Sequence, residues 1–230
     1  MRFDSYTLKA RIAPALFSII IPIMVFNHFY VCDEFSHFVG EIAGAKLVSN
    51  LSISGIFLLF MSEFGRVIGK NVFEKTYFKD ERYMPSVNFM MFNDSTYSEP
   101  HKNRIRNKLA DEFGVQLPTK EEESADQDGA RARIVEVMAF VRKKLHGNKF
   151  LLQHNIEYGA MRNAIGGAVF GVILSVINVL FFSCLEPRSL AVKISVVTLV
   201  LYLFLLALSK YIIEFYGNSY AKILFREYLG

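Results

Sequence analysis

The stretch AIGGAVFGVILSVINVLFFSCL, residues 164–185, contains no Asp, Glu, Lys, Arg or His. A bilayer core of about 30 Å needs about 20 apolar residues in helical form, at ~1.5 Å of rise per residue. The run therefore reads as a membrane span, and a soluble globular enzyme is excluded first. A second uncharged run, residues 194–209, follows a turn that carries Pro187, so the two read as an antiparallel pair. Over all 230 residues 52% are apolar and 21% are charged, and the mean hydropathy is +0.27. These averages sit near those of globular chains, so the class is decided by concentration into runs; disorder, collagen and disulfide-scaffold classes are excluded as well.

Outward from this pair, four spans fit: 12–30, 42–61, 164–185 and 191–211. Pro14 stands in the opening turn of the first, and Pro22 midway, where a kink is expected. The segment before it carries Arg2, Lys9 and Arg11, like a signal peptide. No small-residue cleavage site follows, so it reads as a retained span. Cys32 and Cys184 fall at span ends on the same side, and two free thiols are favoured over a disulfide. Most of the 26 Lys and Arg residues lie between positions 63 and 163 or flank the chain ends, against a net charge of only +4. The positive-inside rule then places both termini and the central segment in the cytoplasm. The expected fold is an all-α integral membrane protein with a first transmembrane pair (1–62), an all-helical cytoplasmic module inserted between the second and third spans (63–163), a second pair (164–211) and a cytoplasmic tail (212–230).

Within the module, Ser98 and Pro100 start a helix that ends at Gly114, with Ile105, Leu109 and Phe113 along one face. Thr119 and Glu122 have capping-box spacing. A further helix over 127–146 places Ile134, Val137, Met138, Val141 and Leu145 together, closed by Gly147. Residues 83–96 read as an extended connection.

No catalytic constellation presents itself, and no His pair has metal-ligand spacing; an enzyme, a metal and a cofactor are not expected. On the second span Lys46, Ser49, Asn50 and Ser54 lie at spacings of three and four and share a helix face. Lys46, Asn50 and Ser54, with Asn178 on the third span, are the pore-lining candidates. Snorkelling of Lys46 and an interhelical hydrogen bond from Asn178 are the structural alternatives. Gly167, Gly171 and Ser175 form a small-residue stripe, read equally as a subunit interface or as packing within one chain. Lys102, Arg104, Arg106 and Lys108, with Arg131 and Arg133, are candidates for a phosphate-rich ligand. Solvated helix faces near anionic membrane lipid explain them as well.

Several strings carry a resemblance: EFGR (63–66), MPSV (84–87), NDST (93–96), LPTKEEE (117–123) with Ala125 and Asp126, and NIEYGAMRN (155–163) running into AIG. They resemble a family of bacterial four-span proteins encoded beside nucleotidyltransferases and other anti-phage genes, which includes the membrane effectors of Hailong-type defence. The chain departs from the family pattern at Met161, where a second Arg is usual, and at Phe92-Asn93, in place of a more basic stretch. The resemblance implies a homotetrameric channel of the bacterial inner membrane. A partner nucleotidyltransferase, or its nucleotide product, would open it during infection and stop growth of the cell. Arg66, Arg162 and Asn163, at the joints of the module with the second and third spans, are the coupling candidates. A non-conducting scaffold or sensor that recruits soluble partners is the competing expectation.

Overall fold

The computed structural model describes residues 5–31 and 58–230. Among these residues the chain is all-helical. Helix α1 comprises Ser5–Thr7, a π-helical stretch Leu8–Ile12, Ala13–Phe26 and a second π-helical stretch Asn27–Val31. Helix α2 covers 58–68, then π-helical Gly69–Glu74 and Lys75–Phe78. There follow α3 (Pro85–Asn88), α4 (Glu99–Phe113), α5 (Lys120–Ala125) and α6 (Gln127–Lys144). The last three are α7 (Lys149–Leu180, extended by π-helical Phe181–Leu185), α8 (Ser189–Ala207) and α9 (Ser209–Leu229). Among the described residues three stretches are long and apolar enough to cross a bilayer, namely Leu8–Tyr30, Lys149–Leu185 and Ser189–Ala207. The expected second span lies almost wholly outside the described residues, and Lys46, Asn50 and Ser54 lie outside them.

The chain divides into two compact units, residues 1–73 with 159–210, and residues 74–158 with 211–230. In the first unit α8 buries Ala191, Ser195, Thr198 and Tyr202, spaced four, three and four apart, which is a single helical face. Val196, Val197, Val200, Leu201 and Phe204 stay exposed, as hydrocarbon-facing positions do. Ala15, Ile19 and Met61 form one buried cluster with Phe170 and Leu174 packed on it. Val25, Phe182 and Ala191 form another, ringed by aromatics: Phe26 lies 5.2 Å and Tyr30 4.9 Å from the Phe181 ring.

Proline shapes the polar contacts of this unit. Pro14 has no N–H, so the Ala10 carbonyl four residues back loses its usual helical donor. The Asn163 amide Nδ2 donates to that carbonyl at 2.7 Å, fully inside the protein. Tyr202 Oη donates to Phe17 O at 2.9 Å, and Asn178 Nδ2 to Pro22 O at 2.8 Å. Three side chains from α7 and α8 thus fasten on the backbone of α1, where unpaired carbonyls would be expensive in hydrocarbon.

The second unit has the larger core. Ile105 and Leu109 of α4, Ile134, Met138 and Val141 of α6, and Ala221, Leu224, Phe225 and Tyr228 of α9 are buried together. Helix α4 runs between Ser98 and Gly114, whose φ of 64° lets it end the helix in the left-handed conformation. Residues set apart in the sequence reading as a tail therefore supply one wall of this core. Residues 83–96, expected to be extended, contain α3, with Pro85 at its first turn, and a tight turn that buries Phe89, Met90 and Met91. Burial of these three side chains outweighs the weak local signal for a turn of helix.

Candidate functional site

The coupling candidates meet in the first unit at a crossing of α2 with α7. A Cβ on Gly65 would stand 3.1 Å from Asn163 O; one on Gly69 would stand 2.4 Å from Arg162 O. A Cβ on Gly166 would lie 2.1 Å from Gly65 O and 2.5 Å from Gly69 N. The two backbones are in direct contact, with no side chain between them, which three glycines make possible. Beside the crossing Glu63 holds two cations. Its Oε1 accepts from Arg11 Nη1 at 3.3 Å, and its Oε2 accepts from Arg66 Nε at 2.9 Å and Nη2 at 2.7 Å. Arg162 Nε donates to Asn163 Oδ1 at 3.3 Å while Asn163 donates to Ala10 O. Arg66, Arg162 and Asn163 are thereby tied to α1, α2 and α7 at one level. The Gly65–Gly69 pair escaped the sequence reading, although its spacing of four was visible.

The small-residue stripe of α7 is occupied from within the chain. Gly167 faces the Ser18 side chain, and Gly171 faces the Tyr202 ring, where an added Cβ would come within 2.6 Å. Ser175 is buried, and its Oγ has no hydrogen-bond partner among the described residues.

In the second unit the six basic candidates divide by what they touch. Lys102 is 0% exposed; its Nζ donates to Met91 O at 2.6 Å and also to Asp94 O. Arg106 donates from Nη1 to Pro118 O at 2.7 Å and from Nη2 to Met90 O at 2.6 Å, with its guanidinium over the Phe92 ring. Burial lowers the pKa of Arg106, and the nearby carboxylates of Glu123 and Glu99 work against that. Glu123, also buried, accepts from the N–H groups of Phe92 and Asn93. Lys102, Arg106 and Glu123 add side-chain partners at both ends of the backbone turn at 90–94. Glu123 serves the N–H groups of Phe92 and Asn93, and the two cations serve the carbonyls of Met90, Met91 and Asp94, beside the backbone bond from Asp94 N–H to Met91 O. Lys108 Nζ donates to Tyr228 O and Leu229 O at the end of α9. Arg131 donates to Asn88 Oδ1 at 2.6 Å and Arg82 O at 3.1 Å and lies over the Tyr83 ring.

Arg104 and Arg133 are exposed. Arg133 pairs with Glu122 at 3.1 Å. Arg104 lines an open groove of about 590 Å³ with Asn103, Asn107 and Asp111, the end of α9 contributing Leu229. A guanidinium flanked by two amides offers donors for phosphate and paired donors and acceptors for a base or ribose. Among the described residues no group of three His, Cys, Asp or Glu side chains is placed to hold a metal ion.

The capping box at α5 carries a pH prediction. Thr119 N–H donates to Glu122 Oε2 at 2.8 Å, and Glu122 N–H to Thr119 Oγ1 at 3.2 Å. The Thr119 N–H and then the Arg133 guanidinium hold the Glu122 carboxyl below its ordinary 4.5. A depressed folded pKa adds stability that is fully present above the unfolded value and is lost as pH falls through the folded one. Amide exchange in α5 is therefore expected to accelerate as pH drops below about 4.5 relative to intrinsic rates, and Glu122→Gln is expected to flatten that dependence. An unchanged profile in the variant would remove Glu122 as the cause.

The chain matches no family model, no curated protein and no solved structure.

Proposed function

We propose that this chain is a subunit of an oligomeric membrane channel, an effector of bacterial anti-phage defence. A nucleotide signal or partner protein acting on the helical module opens it, and the membrane potential of the infected cell collapses. The resemblance of residues 63–166 to the Hailong-type effector family supplies the biological setting. The observation that carries the gating mechanism is the backbone contact of α2 with α7 at Gly65, Gly69 and Gly166. Close-packed helices shift as rigid elements between discrete arrangements. A displacement of one helix at this crossing is therefore passed to the other with little slack. Asn163 then carries it to α1 through Ala10 O.

A ligand opens such an assembly only by binding the open form better; moving a 1:99 equilibrium to 99:1 takes about 5.5 kcal/mol. Over the four subunits that the resemblance implies, this is about 1.4 kcal/mol each. One additional charge-assisted hydrogen bond per subunit, worth about 1.5–3 kcal/mol, suffices. Arg104, exposed between Asn103 and Asn107, is positioned to make it.

The competing reading, a non-conducting scaffold, is favoured by one observation. Asn178, the pore-lining candidate within the described residues, is only 4% exposed and its amide donates inside the chain to Pro22 O.

Liposomes containing the purified chain test the two. Ion flux is expected only when a nucleotide fraction from phage-infected cells carrying a partner nucleotidyltransferase is added. Arg162→Ala is expected to abolish that flux while leaving the oligomer intact, because it removes the side chain beside the α2–α7 contact. Flux unchanged in Arg162→Ala would sink that coupling role. No flux with or without the fraction, from a verified folded oligomer, would favour the scaffold.

A further inference from the structure

We propose that the groove bounded by α1, α7 and α8 holds one acyl chain of an anionic phospholipid, with the lipid phosphate at Lys9. The groove has a volume of about 520 Å³ and is walled by Pro14 and Phe17 of α1, Ala164 of α7, and Leu201 and Tyr202 of α8; among the described residues Lys9 is the one charged residue lining it. Its polar side-chain atoms other than the Lys9 ammonium are already engaged. Tyr202 Oη donates to Phe17 O at 2.9 Å and Thr198 Oγ1 to Ile194 O at 2.8 Å. A buried water needs two to four polar partners, and these walls do not supply them. Hydrocarbon fits the lining without loss.

Length and position point to a lipid rather than to another apolar molecule. From Lys9 to Ile21, the extreme α1 residues of the lining, the helix advances about 18 Å. That is close to one leaflet of a ~30 Å hydrocarbon core plus its interface. Phe17 and Leu201, at the rim, are 57% and 58% exposed, so the groove opens sideways, where bilayer lipids lie. Lys9 is exposed and stands at the N-terminal end of the span Leu8–Tyr30, the depth at which a lysine meets phosphate. A neutral lipid would fill the groove equally well but would leave the ammonium without a net counter-charge. The complementarity therefore selects an anionic headgroup.

The chain contains no Trp, so Phe17→Trp creates a unique fluorophore at the groove. Leu205→Trp is a second reporter in the same lining, in case the edge-to-face contact of Phe17 with Tyr202 makes the first variant fold poorly. Leu203→Trp, exposed and outside the lining, reports bulk lipid. Each full-length variant is placed in phosphatidylcholine vesicles containing brominated phosphatidylglycerol or, separately, brominated phosphatidylcholine, and quenching is titrated. Phosphatidylglycerol is expected to quench the groove reporters with about five-fold higher relative affinity, the factor one lysine supplies at an anionic surface. The Leu203→Trp reporter should show a ratio near one, and Lys9→Gln should bring the groove ratio to that of the control. Equal quenching by both lipids at the groove would overturn the anionic site. Absent quenching there, with normal quenching at Leu203→Trp, would mean that protein rather than lipid covers the groove, and would also overturn it.

Discussion

A methyl group on Gly166 will drive α2 and α7 apart, whereas a methyl group on Gly159, in the same helix, will leave the fold as stable or more so. The contrast comes from what each Cβ meets. At Gly166 the contacts are Gly65 O at 2.1 Å and Gly69 N at 2.5 Å, both backbone atoms that cannot rotate away. At Gly159 they are Tyr6 Oη at 3.5 Å and Ala10 Cβ at 3.6 Å, which is ordinary van der Waals contact. Overpacking costs about 1–3 kcal/mol, more where nothing yields, so Gly166→Ala belongs at about 3 kcal/mol or above. Replacing a helical glycine by alanine where there is room gains about 0.5–1 kcal/mol of chain entropy. Thermal unfolding of the two variants in detergent, followed by circular dichroism, should thus move in opposite directions. Equal melting would show that the helices do not touch at this point. Gly69→Ala, whose Cβ would stand 2.4 Å from Arg162 O, is expected to behave like Gly166→Ala. Under the gating mechanism both would also abolish ligand-dependent flux, since the transmitted displacement depends on contact without slack.

Local signals in the sequence were sufficient wherever a structure is set by its own few residues. Gly114 ends α4 in the left-handed conformation, and the capping box of Thr119 with Glu122 opens α5, because caps act within one turn and carry their chemistry in residue type. Ser98 stands at the start of α4 without a side-chain capping bond. The stretch 164–185 announces a span because length and apolarity are sufficient conditions for one. Long-range partners were illegible for a physical reason. A lysine between a histidine and an asparagine on a polar helix reads as solvated, and only the fold brings the carbonyls of Met91 and Asp94 to Lys102. The same holds for Arg106 and Lys108, whose acceptors lie 12 and 120 residues away in sequence. Between these limits fall features with a readable but unused signal. Gly65 and Gly69 have close-packing spacing next to a charged string that drew the reading toward Arg66. Pro14 frees the Ala10 carbonyl, which calls for a donor, and Asn163 is the side chain that supplies it. The buried face of α9, at Ala221, Leu224, Phe225 and Tyr228, repeats at helical spacing, yet its apolar neighbours Tyr211 and Phe215 are exposed and blur the pattern.

Lys102→Met is the substitution expected to loosen the helical module most, and Arg104→Gln, two residues on, the one expected to leave it nearly untouched. Methionine conserves the length and much of the volume of the lysine stem, so little cavity forms. What is lost is the pair of charge-assisted hydrogen bonds to Met91 O and Asp94 O, at a turn that buries Phe89, Met90 and Met91; Met91 O keeps the Asp94 N–H at 3.3 Å. Each charge-assisted hydrogen bond is worth about 1.5–3 kcal/mol, and release of the ammonium from its burial returns part of that. A net loss of about 2–3 kcal/mol remains, a large fraction of the 5–15 kcal/mol that holds an ordinary domain together. Arg104 has an exposed side chain, and surface changes of this kind stay within about 0.5 kcal/mol. Hydrogen exchange of the full-length protein separates the two. In Lys102→Met the amides of residues 89–97 should exchange faster by a factor of roughly 30–150, the population ratio equivalent to 2–3 kcal/mol. In Arg104→Gln they should be unchanged, while any nucleotide-dependent protection of α4 should weaken. If Lys102→Met instead left the turn protected and removed nucleotide-dependent protection, Lys102 would be a ligand contact, and the ammonium would have to leave the turn on binding. The two outcomes are exclusive, because one ammonium cannot bridge these two carbonyls and coordinate a phosphate outside the core at the same time.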